Sequence, residues 1–492
     1  MAVEFEVQVE WEAGVWQDET PYLRRARIRS GFAQAGDPVA GPGECVLTLD
    51  NRTRRFSPGN AAGSLAGLLR PRRRVRVTAA DDDGTHTLFA GTIDRITPDA
   101  GSWGAGEVEI ASSDAIPLLA RARIGVPHED SKPVAEAVEA VIAQVTAPPA
   151  ASLDDNGDTL AHYGRAWPPE STTALDALRL ICETVYGRFF ITRGGQVTFH
   201  SRERAQTPLA APVLVVDTST PLDGLRVSMG IEPVLNQAQV TVYPVETLGA
   251  LQLIWAARTV LRLAPGETRT IYGLFRDAAG TRVGAVNVPP LVAGTDYQIW
   301  THPDATGYNL TTAPGVSVTA QAEATRVEIT LANATTHVLY VTRLQVWGQP
   351  IVTYDPITLA AENVDSLDAY ELRARALDLP MQPDPVFGLA LAQYLVGRFG
   401  AAALNAERIE VRDRARIGAA SVFAVELMDK VLIDDPQSGM EGAAHWVRAV
   451  TYDIERGGFA ATLFLERADE QTYCLLDAPD FAVLDASAVL GL

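Results

Sequence analysis

The chain has 492 residues, of which 47% are hydrophobic and 21% are charged, and its formal net charge is −20. A chain of this length and apolar content can bury several cores, so we expect roughly three to four folded units. The excess of carboxylates argues against a general nucleic-acid binder, because such proteins gain affinity by neutralising phosphates with Lys and Arg.

The first predicted unit covers residues 1–118 and is an antiparallel β-barrel or sandwich. Between residues 3 and 11 the odd positions are apolar and the even positions are polar, which is the period of a half-buried strand. The Asp-rich stretch 80–84 predicts a hairpin turn. Further strands are predicted at 24–29, 45–50, 74–78, 87–96 and 107–111.

The second predicted unit, residues 119–210, is a small α+β domain. In the stretch 131–145 apolar residues recur with helical spacing, so we expect a helix there with Ser131 as its N-cap. A second helix is predicted at 171–185. The stretch 188–200 that follows it contains two adjacent glycines between apolar runs and predicts a hairpin.

The rest of the chain is predicted to be a β domain that carries another β domain as an insertion. Residues 250–350 show strands separated by Gly, Pro, Asn and Thr turns, which indicates an inserted β-sandwich. The host domain, residues 211–249 plus 351–470, is predicted to contain two helices, at 366–377 and 385–399.

The two ends of the chain carry separate predictions. Residues 471–492 repeat a Leu-Asp-Ala unit and predict an arm that docks on a neighbour, with a strand pair that caps its own domain as the alternative. The N-terminus lacks the basic-then-apolar pattern of a secretory leader. Because no run of about 18 apolar residues occurs, we expect no membrane span.

The sequence contains no motif that brings a nucleophile and a base together and no phosphate-binding loop, so we expect no catalytic activity and no cofactor. The seven histidines are scattered singly and the three cysteines lie far apart, so no metal site is predicted. The Asp-rich stretches 81–84 and 154–158 are interpreted as solvated turns, since a calcium loop would need a Glu at its twelfth position.

The most concentrated positive charge lies at residues 70–76. In a strand, Arg72, Arg74 and Arg76 share one face. On a chain with this negative charge, carboxylates of a neighbouring subunit are the expected partners, so these three arginines are candidates for a subunit interface. A solvated strand face is the alternative.

Aromatic residues are frequent in the predicted insertion, 250–350. Trp300 and Tyr308 are candidate glycan contacts, because exposed aromatic rings can stack on sugars. The alternative is that most of these side chains form the core of the sandwich, which needs large apolar residues.

Eight stretches of the chain resemble the hub proteins of long bacteriophage tails, a family of tail-tip, baseplate hub and tail-associated proteins. The stretch 174–199 is characteristic, because it places a helix before a Gly-Arg-Phe-Phe and Gly-Gly-Gln-Val-Thr-Phe hairpin. The remaining stretches are 43–60, 71–77, 88–96, 363–375, 390–396, 427–433 and 445–458. Their order along the chain supports the resemblance more than any single stretch does.

The resemblance implies an α+β, mainly β, multi-domain hub with tail-tube-like antiparallel β-barrel domains, a small α+β domain and an inserted β-sandwich. It further implies a homotrimeric ring at the virion tail tip, with two tube-like domains per subunit that match the hexameric tube. Such a ring would contact distal tail, tail tube and tape-measure proteins and carry fibre or receptor-binding proteins. DNA would only pass through it.

We therefore expect a structural hub of a tail tip or baseplate, made in the cytoplasm of the host bacterium and active in host attachment and genome ejection. The hub would close or continue the tail tube and anchor tip proteins. The alternative is a carbohydrate-binding or adhesive protein that uses the sandwich at 250–350.

Overall fold

The computed structural model of the protein describes residues 3–99, 104–155, 157–164, 167–168, 170–202, 211–468, 473–474 and 489–490. The N-terminal part contains a short 3-10 helix at Thr20–Tyr22 and seven strands: β1 (Glu4–Glu12), β2 (Val15–Asp18), β3 (Leu23–Gly31), β4 (Gly41–Asp50), β5 (Arg74–Asp81), β6 (Gly84–Pro98) and β7 (Glu107–Ser113). The alternation predicted for 3–11 is confirmed, because Val7, Val9 and Trp11 of β1 are fully buried.

The small α+β unit follows, with elements α1 (Ile116–Arg121), β8 (Glu129–Pro133), α2 (Val134–Ile142), β9 (Ala151–Leu153), β10 (Thr159–Tyr163), α3 (Ala174–Val185), β11 (Arg188–Ile191) and β12 (Val197–His200). Strands β8 and β10 form one sheet, and β11, β12 and β9 form another. Helix α3 begins with a capping box in which the Thr173 hydroxyl accepts a hydrogen bond from the Asp176 backbone N–H.

Helix α2 begins later than predicted. Ser131 was expected to cap it, but Ser131 and Lys132 belong to β8 and pair with Ala161 and Leu160 of β10. Pro133 is the N-cap residue instead, and its side chain offers no capping hydrogen bond. Strand pairing therefore replaces the predicted cap. Residues 203–210 of the predicted unit lie outside the described part of the chain.

The insertion is a β-sandwich, as predicted. It follows β13 (Leu214–Val216), β14 (Gly224–Met229) and β15 (Gln237–Val242), and comprises β16 (Val245–Thr247), β17 (Gln252–Ala256), β18 (Leu261–Leu263), β19 (Thr268–Leu274), β20 (Gly284–Val286), β21 (Tyr297–Trp300), β22 (Val316–Ala322), β23 (Arg326–Asn333) and β24 (Leu339–Thr353). Five strands pair with the long β24, and β19, β23 and β22 form the opposing sheet. Ile254 and Val341 from the first sheet and Ile329 from the second share one core.

The C-terminal part contains β25 (Ile357–Glu362), α4 (Val364–Tyr370), β26 (Ala374–Leu379), α5 (Pro385–Phe399), β27 (Leu404–Arg412), β28 (Arg416–Ile417), β29 (Ala420–Ser421), β30 (Lys430–Asp435), β31 (Met440–Glu455), β32 (Gly458–Arg467), β33 (Tyr473–Cys474) and β34 (Val489–Leu490). Strands β33 and β34 pair with each other, and the rest of the predicted arm at 471–492 lies outside the described residues. No helix within the described ranges has the length and apolarity needed to cross a bilayer.

The helix predicted at 366–377 is shorter in the structure. Helix α4 ends at Tyr370, and Glu371 adopts a left-handed φ of 60° that turns the chain. Strand β26 then pairs in parallel with β15, and this pairing buries Leu379. A tertiary contact thus overrides the local helical pattern.

One large sheet contains strands from both ends of the chain. Its order is β14-β27-β32-β31-β3-β4-β7-β6-β5-β1-β2, with β30 and β13 attached beside β31. The N-terminal and C-terminal strands also share one core, in which the ring of Phe5 lies 5.7 Å from Phe423 and 5.5 Å from Phe459. Across the described strands the sheet stays open at both ends, so the predicted closed barrels are not confirmed.

Residues 211–249 and 351–470, which the sequence groups as one unit, are divided among several sheets. Strands β13, β14, β27, β30, β31 and β32 join the large sheet, whereas β25, β15 and β26 form a separate three-stranded sheet. Helix α5 covers this smaller sheet, and Leu391 and Leu395 pack against Val240 and Val242. The predicted unit groups residues by their position in the sequence, but its strands pair in different sheets.

Two arginines, the buried Arg193 and the half-buried Arg188, attach the α+β unit to the large sheet. The Arg193 Nη1 donates to the Phe423 carbonyl at 2.6 Å and to the Tyr452 hydroxyl at 3.0 Å, and its Nε lies 3.4 Å from a Glu426 carboxylate oxygen. The Arg188 Nη2 lies 2.9 Å from the buried Glu466 carboxylate. These planar guanidiniums bind several oxygens at once, which fixes the orientation of the unit.

We predict that Gly31→Ala separates β3 from β31. Gly31 has a φ of +125°, and an added Cβ would lie 2.3 Å from the Arg448 carbonyl oxygen and 2.4 Å from the Ala449 Cα. Backbone strain and overpacking each cost about 1–3 kcal/mol, so both strands should lose protection. Hydrogen–deuterium exchange of the β3 and β31 peptides measures this loss. Gly14→Ala is the matched control, because Gly14 has a φ of +79° and open space around it, and equal effects of the two substitutions would contradict the prediction.

We also predict that Arg193→Met destabilises the attachment of the α+β unit by about 3–5 kcal/mol, because it leaves a carboxylate, a carbonyl and a hydroxyl without their shared donor. Arg193→Lys keeps the charge but loses the fork and should give an intermediate loss. Urea unfolding monitored by near-UV circular dichroism measures both. Arg179→Met, on the exposed face of α3, should change stability by less than about 0.5 kcal/mol.

Candidate assembly surface

The main strand order of the large sheet ends in β2 and β14, which each have one neighbour among the described strands, and β13 on the side branch likewise pairs only with β30. Strand β2 pairs with β1, and β14 pairs with β27. Edge strands offer unpaired N–H and C=O groups, and another chain can pair with them. Val15 on β2 is 48% exposed and Met229 on β14 is 61% exposed, so both edges also present apolar side chains. The β2 and β14 edges are therefore both available for strand addition.

Arg74 and Arg76 lie beside the β2 edge. On β5 they stand opposite Glu10 and Gln8 of β1, and both guanidiniums lie over the ring of Trp16 on β2, at 5.3 and 4.4 Å from its centroid. Arg74 also lies 3.3 Å from Glu10, while its side chain stays 67% exposed. Cation–π contacts of this kind hold the charges in place. The result is a fixed, exposed positive patch next to an open edge.

Arg72 departs from the predicted stripe. Strand β5 begins at Arg74, and Arg72 lies in the preceding turn with a φ of 71°, where its backbone N–H donates to the Ile93 carbonyl at 2.7 Å. Its side chain lines an open pocket together with Glu44, Asp94 and other residues. Two of the three predicted arginines therefore share a strand face, and the third lies in a separate pocket of mixed charge. Their contact with another subunit stays a prediction.

A buried carboxyl lies next to this pocket. Burial raises the pKa of Asp114 to about 6, with a further contribution from Asp94 and Glu44, although the N–H groups of Ile116 and Gly43 donate to its carboxylate at 2.9 and 2.7 Å. Asp114 therefore exchanges its proton between mildly acidic and neutral pH. The negative charge around Arg72 grows as the pH rises through this range.

The two candidate glycan contacts are neighbours at one end of the sandwich. Trp300 forms a bridge with Asn309, and the Thr301 N–H donates to the Tyr308 carbonyl at 3.1 Å. Tyr308 is 76% exposed, whereas Trp300 is half-buried and its indole N–H is buried without a hydrogen-bond partner among the described atoms. The structure thus offers one freely accessible ring, and glycan binding stays a prediction.

Sequence reasoning did not anticipate one cluster of ligating side chains. His128, Asp130 and His162 each direct a nitrogen or oxygen atom to a common point, and these atoms all lie within 4.8 Å of one another. The histidines are 34 positions apart in the sequence, which is why they looked isolated. The pairing register of β8 with β10 brings them together, and spacing alone carries no signal of that register.

No protein-family model matches the chain, and no curated protein matches it in sequence. Among solved structures, the 43 kDa tail protein of prophage MuSo2 from Shewanella oneidensis has a TM-score of 0.51 at 8% identity, with 95% of this chain and 98% of that chain covered. A tail protein from Neisseria meningitidis has a TM-score of 0.49 at 10% identity, with 95% and 97% covered. The prophage tail protein gp18 from Listeria monocytogenes has a TM-score of 0.44 at 8% identity, with 95% of each chain covered.

The match to the Shewanella prophage protein extends over nearly the whole of both chains and shows a shared fold. This finding confirms, at the level of the fold, the resemblance that the sequence motifs predict. The chain therefore has the fold of a phage tail protein.

Proposed function

We propose that the protein is a structural hub of a phage tail tip or baseplate, which closes or continues the tail tube and anchors tip proteins. The observation that carries this proposal is the open sheet built from both ends of the chain. Its main strand order ends in the edges β2 and β14, and the side branch ends in β13. The shared fold with a prophage tail protein supports the same function. The protein acts by assembly and carries out no catalytic step.

The two edges favour a ring. When the β2 edge of one subunit pairs with the β14 edge of the next, the contact is head-to-tail, because the two edges belong to different parts of the chain. Head-to-tail contacts close into rings when the rotation between subunits allows it. Three subunits, each with an N-terminal and a C-terminal β part, present six β parts around the axis. This number fits the hexameric tube that the family resemblance implies.

The charge of the chain fits a passage for DNA. With a net charge of −20, most surfaces of a ring repel the phosphate backbone, so DNA passes without sticking during genome ejection. The hub is made in the host cytoplasm and occupies the virion tail tip. Distal tail, tail tube and tape-measure proteins bind on one side of the ring, and fibre or receptor-binding proteins bind on the other during host attachment.

A second candidate function is carbohydrate binding by the insertion, which the 76% exposure of Tyr308 favours. Glycan-array binding that disappears in Tyr308→Ala, with the molecular mass unchanged, would support this alternative. The two functions are compatible, because the exposed ring lies on the insertion and the open edges lie on the large sheet.

We predict that the purified protein forms a trimer with three times the 52.8 kDa mass of the chain. The double variant Arg72→Gln, Arg74→Gln should weaken the trimer at least about tenfold, because it removes positive charge that faces carboxylates of the neighbour. Gln at position 74 avoids a new repulsion with Glu10. Multi-angle light scattering over a concentration series at low and high salt measures the association.

Arg269→Gln is the control for this experiment. Arg269 lies on β19 of the insertion, is similarly exposed and pairs with Glu267, so its loss should leave the trimer intact. A protein that stays monomeric at high concentration, in the presence of the purified tube protein as well, would overturn the proposed ring. Electron microscopy of labelled particles that places the chain away from the tail tip would overturn the proposed location.

A further inference from the structure

The cluster of His128, Asp130 and His162 has the geometry of a metal site. The His128 Nδ1 lies 4.0 Å and the His162 Nδ1 lies 3.8 Å from the same carboxylate oxygen of Asp130. The two imidazole rings are 5.6 Å apart and inclined at 46°. The side chain of His128 is 2% exposed and that of His162 is 17% exposed, whereas Asp130 is 69% exposed. Two shielded nitrogen donors thus meet one accessible oxygen donor.

The strand register explains why these three residues meet. Residues of β8 pair with β10 from Glu129 opposite Tyr163 to Pro133 opposite Thr159, and the same register places His162 beside Asp130. His128 lies directly before β8, and its Nδ1 comes within 4.0 Å of the Asp130 carboxylate. His162 adopts a left-handed φ of 51°, which is uncommon for a residue other than glycine.

These donors match zinc. Zn²⁺ binds His nitrogens at about 2.0–2.1 Å and carboxylate oxygens at about 2.0–2.2 Å, and sites with three protein ligands leave the fourth position to water. Tetrahedral geometry then requires donor atoms about 3.3 Å apart. The separations of 3.8 and 4.0 Å from Asp130 reach this value after a small rotation of the exposed carboxylate. Mg²⁺ prefers oxygen ligands and does not fit two imidazoles.

We propose that His128, Asp130 and His162 bind one Zn²⁺ ion that stiffens the contact between the inserted sandwich and the α+β unit. This contact lies directly beside the cluster. The Val126 carbonyl accepts a hydrogen bond from the Ala324 N–H of the insertion at 3.1 Å. A Cβ on Gly164 would lie 3.0 Å from Val126 and 3.2 Å from Ala324.

The metal would act through these two short connections. Val126 lies two residues before His128, and Gly164 lies two residues after His162. An ion held by both histidines therefore joins the two segments that contact the turn at 323–325 of the insertion. The ion adds coordinate bonds to the backbone pairing of β8 with β10 and limits the movement of the insertion relative to the α+β unit. This function is independent of the proposed ring.

Zinc titration of the full-length, tag-free protein tests the site. We expect one equivalent of Zn²⁺ by calorimetry and, with Co²⁺ as a probe, the visible absorption of a tetrahedral nitrogen–oxygen site. His162→Gln and Asp130→Asn should each weaken binding at least about tenfold, since even the loss of an outer partner of a metal ligand costs about 10–100-fold. His337→Gln, an exposed histidine of the insertion, is the matched control and should bind as the original protein does.

Hydrogen–deuterium exchange tests the consequence. Zn²⁺ should slow exchange in the peptides that contain Val126 and Ala324 in the original protein and in His337→Gln, but not in His162→Gln, and Mg²⁺ should have no effect. Asp130→Asn keeps the test independent of folding, because the exposed Asp130 side chain contributes little to a core. Zinc affinity that is equal in His162→Gln, Asp130→Asn and the original protein would overturn the site. Zinc binding without slower exchange at Ala324 would overturn its structural function.

Discussion

The pairing of β3 with β31 is the constraint on which the rest of the molecule depends. Seven residue pairs join the two strands, from Arg25 opposite Glu455 to Gly31 opposite Ala449. The Arg25 Nε donates to the Asp453 carboxylate at 2.8 Å, and this ion pair crosses the joint. Because this pairing joins the N-terminal and C-terminal strands in one sheet, the chain between them is anchored to the same sheet at both of its ends.

A small number of polar contacts position the α+β unit on the large sheet and the insertion on the α+β unit. Arg188 and Arg193 hold the α+β unit against the C-terminal strands. The insertion meets that unit through the Ala324 N–H and through an ion pair between Arg282 and Glu170. Hydrophobic burial stabilises each core, but directional hydrogen bonds decide how the cores are oriented.

Patterns that depend on neighbouring residues predicted the fold well, and patterns that depend on distant pairing did not. The alternation of β1 and the helical spacing of α3 are local and were predicted, and local strand patterns also predicted that the insertion is a β domain. Ser131 does not cap helix α2, because it pairs with β10. Arg72 does not share the strand face of Arg74 and Arg76, because β5 begins at Arg74, two residues after Arg72. The cluster of His128 and His162 depends on the same β8–β10 register, which no local pattern encodes. The fusion of both chain ends into one sheet was missed for the same reason.

The pairing of β3 with β31 also has a consequence during synthesis of the chain. About 410 residues separate the end of β3 from the start of β31, and a bacterial ribosome adds about 5–20 residues per second. For roughly 20–80 s the emerging N-terminal strands therefore expose β3 as a naked edge that can pair with a nascent neighbour on the same polysome. Arg25, Arg27 and Arg29 along β3 supply mutual repulsion between such neighbours until β31 arrives with Asp453 and Glu455, which pair with Arg25 and Arg27. The β3 edge is therefore covered only after synthesis of the chain has passed β31.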